Sequence, residues 1–131
     1  YRVTRIWLSG ERRGTSEVFA DNLPGFPDNI TRSPRGDRFW LALFAPRNPR
    51  LDSLADKPFL RKVVARLPAA LQPKPARHAI VLALDENGAI VENLQDPIAT
   101  SYSPITSVIE HGGQLYLGSL WRREIAVLPA P

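Results

Sequence analysis

An all-β chain carrying one helical interruption is what this sequence predicts, and three observations carry the expectation. Short runs rich in β-branched and aromatic residues recur along most of the 131 residues. Between them stand clusters of Gly, Pro, Asn, Asp and Ser that favour tight turns. One hairpin pattern also occurs twice: Phe39-Trp40-Leu41-Ala42-Leu43-Phe44 after the turn Ser33-Pro34-Arg35-Gly36-Asp37, and Leu115-Tyr116-Leu117-Gly118-Ser119-Leu120-Trp121 after Glu110-His111-Gly112-Gly113.

In chain order, strands are expected at Arg2 to Leu8, Glu17 to Ala20, Ile30 to Arg32, Phe39 to Phe44, Ala79 to Leu84, Ile90 to Leu94, Ser107 to Glu110, Leu115 to Leu120 and Glu124 to Leu128. The connecting turns are Ser9-Gly10 through Arg13-Gly14, Pro34 to Asp37, Asp85-Glu86-Asn87-Gly88 and Gly112-Gly113. Such short links suit an antiparallel meander. The exception is the proline-rich stretch from Ala45 to Ala76. There Asp56 can cap a helix with Pro58 at its first position and Leu60, Val63, Val64 and Leu67 at i, i+3, i+4 and i+7, ended by Pro68. With the whole stretch from Ala45 to Ala76 set aside, its helical insertion at about 51–71 included, the repeats stand about 45 residues apart, the span of one four-stranded propeller blade. The repeat sets Asp28 against Thr106 and Trp40 against Tyr116. Tyr1 to Ala20 then supplies the last two strands of one blade, Asp28 to Leu94 a whole blade with the insertion, and Thr106 to Leu128 three strands of another.

Composition sets the bounds. At 44% hydrophobic the chain can form one core, and its length gives no reason for two domains. No apolar run is long enough to span a membrane and no signal peptide is visible. The absence of Met and the opening at Tyr1 inside a strand-like run lead us to expect an excised piece, with strand edges left for the remaining blades or a second copy to cover. There is no cysteine, so thiol chemistry is excluded here and the compartment stays open, with periplasmic, secreted or membrane-associated placements ranked above a nuclear one. The net charge of +4 comes mostly from arginines spread along the chain, with only Lys57, Lys62 and Lys74 beside them, and a nucleic-acid footprint would be clustered.

Gly14-Thr15-Ser16-Glu17-Val18-Phe19, Leu23-Pro24-Gly25-Phe26-Pro27-Asp28-Asn29-Ile30, Leu82-Ala83-Leu84-Asp85-Glu86-Asn87-Gly88 and Glu110 through Leu120 together resemble the strictosidine synthase-like family, over nearly every residue. The match is to the family's C-terminal portion. The resemblance implies part of a six-bladed β-propeller related to the paraoxonases and gluconolactonases, about two to two and a half blades within a single domain. It does not by itself fix the reaction.

In the family's true synthases, a glutamate four residues before a Glu-His-Asp-Gly stretch is the acid and base that condenses an amine with an aldehyde. That position here is Thr106, whose hydroxyl cannot shuttle protons near neutral pH, so Thr106 is expected to be inactive for condensation. In paraoxonase-like relatives a Val-Asp-Asn-Ile stretch gives an Asp-Asn pair to a calcium ion in the central tunnel, and Pro27-Asp28-Asn29-Ile30 is similar to it. Asp28 and Asn29 are therefore the metal-ligand candidates, with calcium the implied cofactor. A carboxylate beside an amide carbonyl suits that hard cation, although six to eight oxygens are needed and the rest must come from elsewhere. Without the resemblance, Asp-Asn after Pro reads as an ordinary side-chain-bonded turn.

Ser107 and Leu120 are expected to shape a pocket beside Thr106, with no acid and histidine pair to activate Ser107. His111 reads as an exposed turn residue, and His78 has no partner that would make a zinc site. Phe44 and Trp121 are expected to fill gaps between blades. The helix is expected to pack as a lid through Leu60, Val63, Val64 and Leu67, with Arg61, Lys62 and Arg66 outward, and association with an anionic membrane is left open. The function expected is a calcium-dependent lactonase or arylesterase-type hydrolase of a small-molecule substrate. The alternative is a non-catalytic ligand-binding or scaffold propeller.

Overall fold

A computed structural model describes residues 1–68, 70–72, 75–98 and 100–131. Among them nine strands form three antiparallel sheets. The first sheet pairs β1 (Val3–Ile6) with β2 (Ser16–Ala20). The second runs in sequence order through β3 (Gly25–Arg32), β4 (Arg38–Pro46), β5 (Ala79–Asp85) and β6 (Ile90–Asp96), and the third through β7 (Ser107–His111), β8 (Gln114–Gly118) and β9 (Ala126–Pro129). The all-β expectation holds, with few helices.

Burial explains why the strands differ in sequence. Both faces of the second sheet are covered, so β4 and β5 read as unbroken apolar runs. One face presents Leu41, Leu43, Ile80, Leu82 and Leu84 to Phe19, Ala20 and Leu23. The other sets Trp40, Ala42, Val81 and Ala83 against Ile105, Val108, Leu115 and Leu117 of the third sheet and its lead-in. Each large side chain fully removed from water here stabilises the fold by about 1.5–3 kcal/mol. The flanking sheets are covered on one face only and alternate. Leu115 and Leu117 point inward while Tyr116 points away with Ile109 and Val127, and at the far end Ile6 and Val18 are exposed. Trp40 and Tyr116, matched in the repeat, thus differ in burial because a third sheet covers the first of them and nothing described covers the second.

Two backbone approaches need glycine. A Cβ on Gly88, which has φ +84°, would lie 1.7 Å from the Phe19 carbonyl oxygen, so the β5–β6 turn docks on β2 only because that atom is missing. The turn is held by Asp85, whose Oδ1 accepts from the backbone N of Asn87 and of Ala89, both at 2.8 Å. Gly25 similarly lets β3 pass close to the Ala45 carbonyl.

Between β4 and β5 lie two helices. The first, α1 (Pro49–Asp52), was not anticipated; Asn48 caps it by accepting from the backbone N of Arg50 and Leu51. The second, α2 (Pro58–Ala65), starts at the expected proline, but Lys57 occupies the cap position and no side chain caps it, so the role given to Asp56 is corrected. It stops before Leu67. None of its residues is buried, and Phe59, Leu60 and Val63 are exposed, so the expected lid packing through the whole stripe is not what this helix does. Of the stretch 51–71, residue 69 lies outside the described residues.

Candidate functional site

The site grows out of an irregularity in β3. Along its ladder with β4, Pro27 pairs with Leu43 and Ile30 with Leu41, so Asp28 and Asn29 together stand opposite the single residue Ala42. This is a β-bulge, which breaks pairing and re-aims side chains. Pro27 has no N–H to give to a ladder, and β3 tolerates it because it is an edge strand. The bulge brings the two polar side chains together: Asn29 Nδ2 donates to Asp28 Oδ1 at 3.2 Å.

Asn29 also joins the second sheet to the third. Its Nδ2 donates to the backbone carbonyl of Thr106 at 2.8 Å. Two residues on, Thr31 Oγ1 donates to the carbonyl of Val108 at 2.5 Å, and two further on, Ser33 Oγ donates to Glu110 Oε2 at 2.6 Å. All three bonds span the same 77 residues, so β3 and β7 run side by side in the same direction. Alternate residues of β3 share a face, which is why the donors fall at every second position.

The seam is anchored by Glu110. Its carboxylate is buried and accepts from Trp40 Nε1 at 2.6 Å as well as from Ser33, while its Oε1 lies 3.0 Å from Arg35 Nε. Burial by itself pushes this carboxyl up. The hydrogen bonds from Ser33 and Trp40 and the Arg35 guanidinium outweigh that push and hold it below the usual carboxylate range.

Asn29's orientation has a chemical consequence. A carbonyl can only accept, so the amide nitrogen must face Thr106, and the side-chain oxygen is left to point elsewhere. Asp28 is exposed, and among the described residues no basic side chain pairs with it. Asn29 thus keeps an uncommitted amide oxygen and its neighbour Asp28 a carboxylate without a basic partner, donor types that suit a hard cation but supply only part of its shell. Among the described residues no group of three or more His, Cys, Asp or Glu forms a metal cluster.

The other expected residues are placed as follows. Thr106 is buried, its backbone N donates to the Gly118 carbonyl at 2.9 Å, and its hydroxyl lies 3.3 Å from the same oxygen. Ser107 pairs with Gly118 across the β7–β8 ladder, and a Cβ on Gly118 would lie 2.3 Å from Ser107 Oγ. Leu120 lies beyond the end of β8 and is exposed. Phe44 and Trp121 meet edge to face with ring centroids 5.9 Å apart, a contact between the second sheet and the turn after β8. His111 is exposed at the end of β7, and His78 Nε2 is buried without a hydrogen-bond partner among the described residues. The sequence reading passed over Thr31, Ser33, Arg35 and Glu110. Their signal was the polar series Asn29, Thr31, Ser33 at every second residue along β3 and just past its end.

No protein-family model matches the chain. It is 39% identical over 124 residues to an adipocyte plasma membrane-associated protein of Bos taurus, which covers 90% of this chain and 30% of that protein. It is 40% identical over 124 residues to the protein of the same name from Salmo salar, again 90% and 30%. Protein STRICTOSIDINE SYNTHASE-LIKE 10 of Arabidopsis thaliana is 36% identical over 125 residues, 91% of this chain and 33% of that protein. The chain thus spans about a third of the length of the curated relatives it matches. With relatives of both names aligned along nine-tenths of its residues, the chain belongs to the strictosidine synthase-like family.

Proposed function

We propose that this chain is part of a six-bladed propeller whose tunnel is lined by β3 and β7, and that the whole protein is a metal-dependent hydrolase of small lactones or esters. The observation that supports this most is the Asn29 to Thr106 hydrogen bond, because it occupies the Asn29 amide nitrogen and leaves its oxygen uncommitted, next in sequence to an Asp28 carboxylate that has no basic partner. The side-by-side, same-direction course of β3 and β7 fits the innermost strands of neighbouring blades, and 77 residues is about one blade plus the helical insertion.

Asp28 and Asn29 would hold calcium, with the remaining oxygens outside this chain or from water. A bound cation of this kind polarises a carbonyl toward attack by water. What the chain's own residues do is narrower. Asn29 holds Asp28 and itself in place, and the seam keeps the carbonyl of Thr106 occupied. Thr106 offers no proton-shuttling group, so we propose that amine and aldehyde condensation is not the reaction. The same reading leaves α2, with Phe59, Leu60 and Val63 exposed beside Arg61 and Lys62, as a surface for contact with an anionic membrane.

The test is calcium titration of the full-length protein followed by thermal melting, with a lactone and aryl ester panel alongside. Stabilisation by calcium and hydrolysis that both disappear in Asp28→Ala, with the fold intact, support the hydrolase. Calcium without stabilising effect removes the metal role, and a protein inert to the whole panel is a binding or scaffold propeller.

A further inference from the structure

Where β3 begins and β4 ends, the second sheet meets the helical insertion around a cavity of about 380 Å³. This size lies within the range of small-molecule sites, and so does its make-up, mostly apolar walls with few polar groups. Phe26, Phe44, Pro46, Leu51 and Pro75 supply apolar walls, and Arg47 lines the cavity with them.

Arg47 is held in place by neutral partners. Its Nε donates to the carbonyl of Leu23 at 2.8 Å and its Nη2 to Asn22 Oδ1 at 2.7 Å, and the guanidinium lies 4.3 Å from the centre of the Tyr1 ring. Among the described residues no carboxylate forms an ion pair with it. Asp52 accepts instead from the Tyr1 hydroxyl at 2.6 Å. The result is a cation positioned by neutral partners, without an ion pair among the described residues, on a residue that lines an apolar cavity, a combination that matches a carboxylate head on an apolar body.

We infer that this cavity binds an amphipathic monocarboxylate, its apolar part between Phe26, Phe44 and the proline walls and its carboxylate on Arg47. One guanidinium balances one negative charge, which favours a carboxylate over a dianionic phosphate. Neither Asp28 nor Asn29 lines this cavity, and the inference does not rest on the metal reading.

The experiment is calorimetric titration of the full-length protein with octanoate, octan-1-ol and octylammonium, in the presence of a metal chelator. Octanoate binds saturably, octan-1-ol binds more weakly, and octylammonium does not bind. Arg47→Gln weakens octanoate about tenfold or more while leaving octan-1-ol unchanged, since only the charge-assisted contact is removed. Ala76→Trp, which fills the cavity from an exposed lining position without touching the Arg47 tethers, abolishes binding of both. Melting curves verify that each variant is folded; should Arg47→Gln fail to fold, Ala76→Trp and the octylammonium titration decide. Absence of saturable octanoate binding, equal binding of octylammonium, or octanoate binding untouched by Ala76→Trp or by a folded Arg47→Gln overturns the assignment.

Discussion

Asn29 meets Thr106 through unlike parts of the two residues: a side-chain amide on one strand and a main-chain carbonyl on the other, 2.8 Å apart. The bond uses what is particular to residue 29 and what every residue has at position 106.

Substitutions at the two positions should therefore behave differently. Asn29→Ala leaves the Thr106 carbonyl without its partner and should cost about 1–3 kcal/mol, and Asn29→Asp, which sets a carboxylate oxygen against that carbonyl, should cost more. Thr106→Ala keeps the accepting carbonyl and loses only the 3.3 Å contact to Gly118, so its cost should stay near ~1 kcal/mol or below. Denaturant unfolding of the full-length variants measures all three.

Glu110 should make the seam sensitive to acid. Its folded-state pKa is depressed, so the stability it contributes is fully present above the unfolded value, about 4.3, and is lost as pH falls through the folded value. Glu110→Gln should lower stability at neutral pH and remove this part of the acid dependence. Asp37, Asp85 and Glu17 are also depressed, the first and last by arginine partners and Asp85 by backbone N–H groups, so the informative quantity is the difference between wild type and Glu110→Gln from pH 7 down to 3.

Gly88→Ala should be more damaging than an ordinary turn substitution. The new methyl both meets the Phe19 carbonyl and forces a positive φ on a non-glycine residue, which alone costs of the order of 1–3 kcal/mol. Thermal melting should show a loss at the upper end of that range or beyond, and a drop typical of an exposed loop would mean the turn moves away from β2 freely.

The 131 residues in isolation should self-associate. Ile6 and Val18 at one end of the stack and Ile109, Tyr116 and Val127 at the other are apolar and exposed, and strands β1 and β9 leave unpaired edges. Sedimentation of the isolated segment should show oligomers or aggregates, and a cooperatively melting monomer would contradict this.

The order of strands and the turns between them were legible because β4 and β5, buried on both faces, read as continuous apolar runs, and because Asp85 to Gly88 is strong turn chemistry. The beginning of β3 was not. Pro24 to Pro27 looks like a turn, and only the edge position and the bulge opposite Ala42 let the strand extend back to Gly25. At the other hairpin the apolar run suggested a strand as far as Leu120, yet β8 ends at Gly118, where Ser107 is its last partner in β7, and β9 reaches back only to Leu117. Asp28 and Asn29 stood out as residue types, whereas what orients them, a carbonyl 77 positions away, leaves no trace in composition. Asp56 had the chemistry of a cap but lies one residue too early, since Pro58 fixes where α2 begins.

The joint between β3 and β7 divides its specification unevenly. Asn29, Thr31 and Ser33 must bring donors, while positions 106 and 108 answer with carbonyls that survive any replacement of their side chains. Residue 106 can therefore exchange its hydroxyl for a methyl without removing the acceptor that aligns the two sheets. The side chain at position 106 and the joint beside it are thus specified by different atoms, so the one can change while the other stays the same.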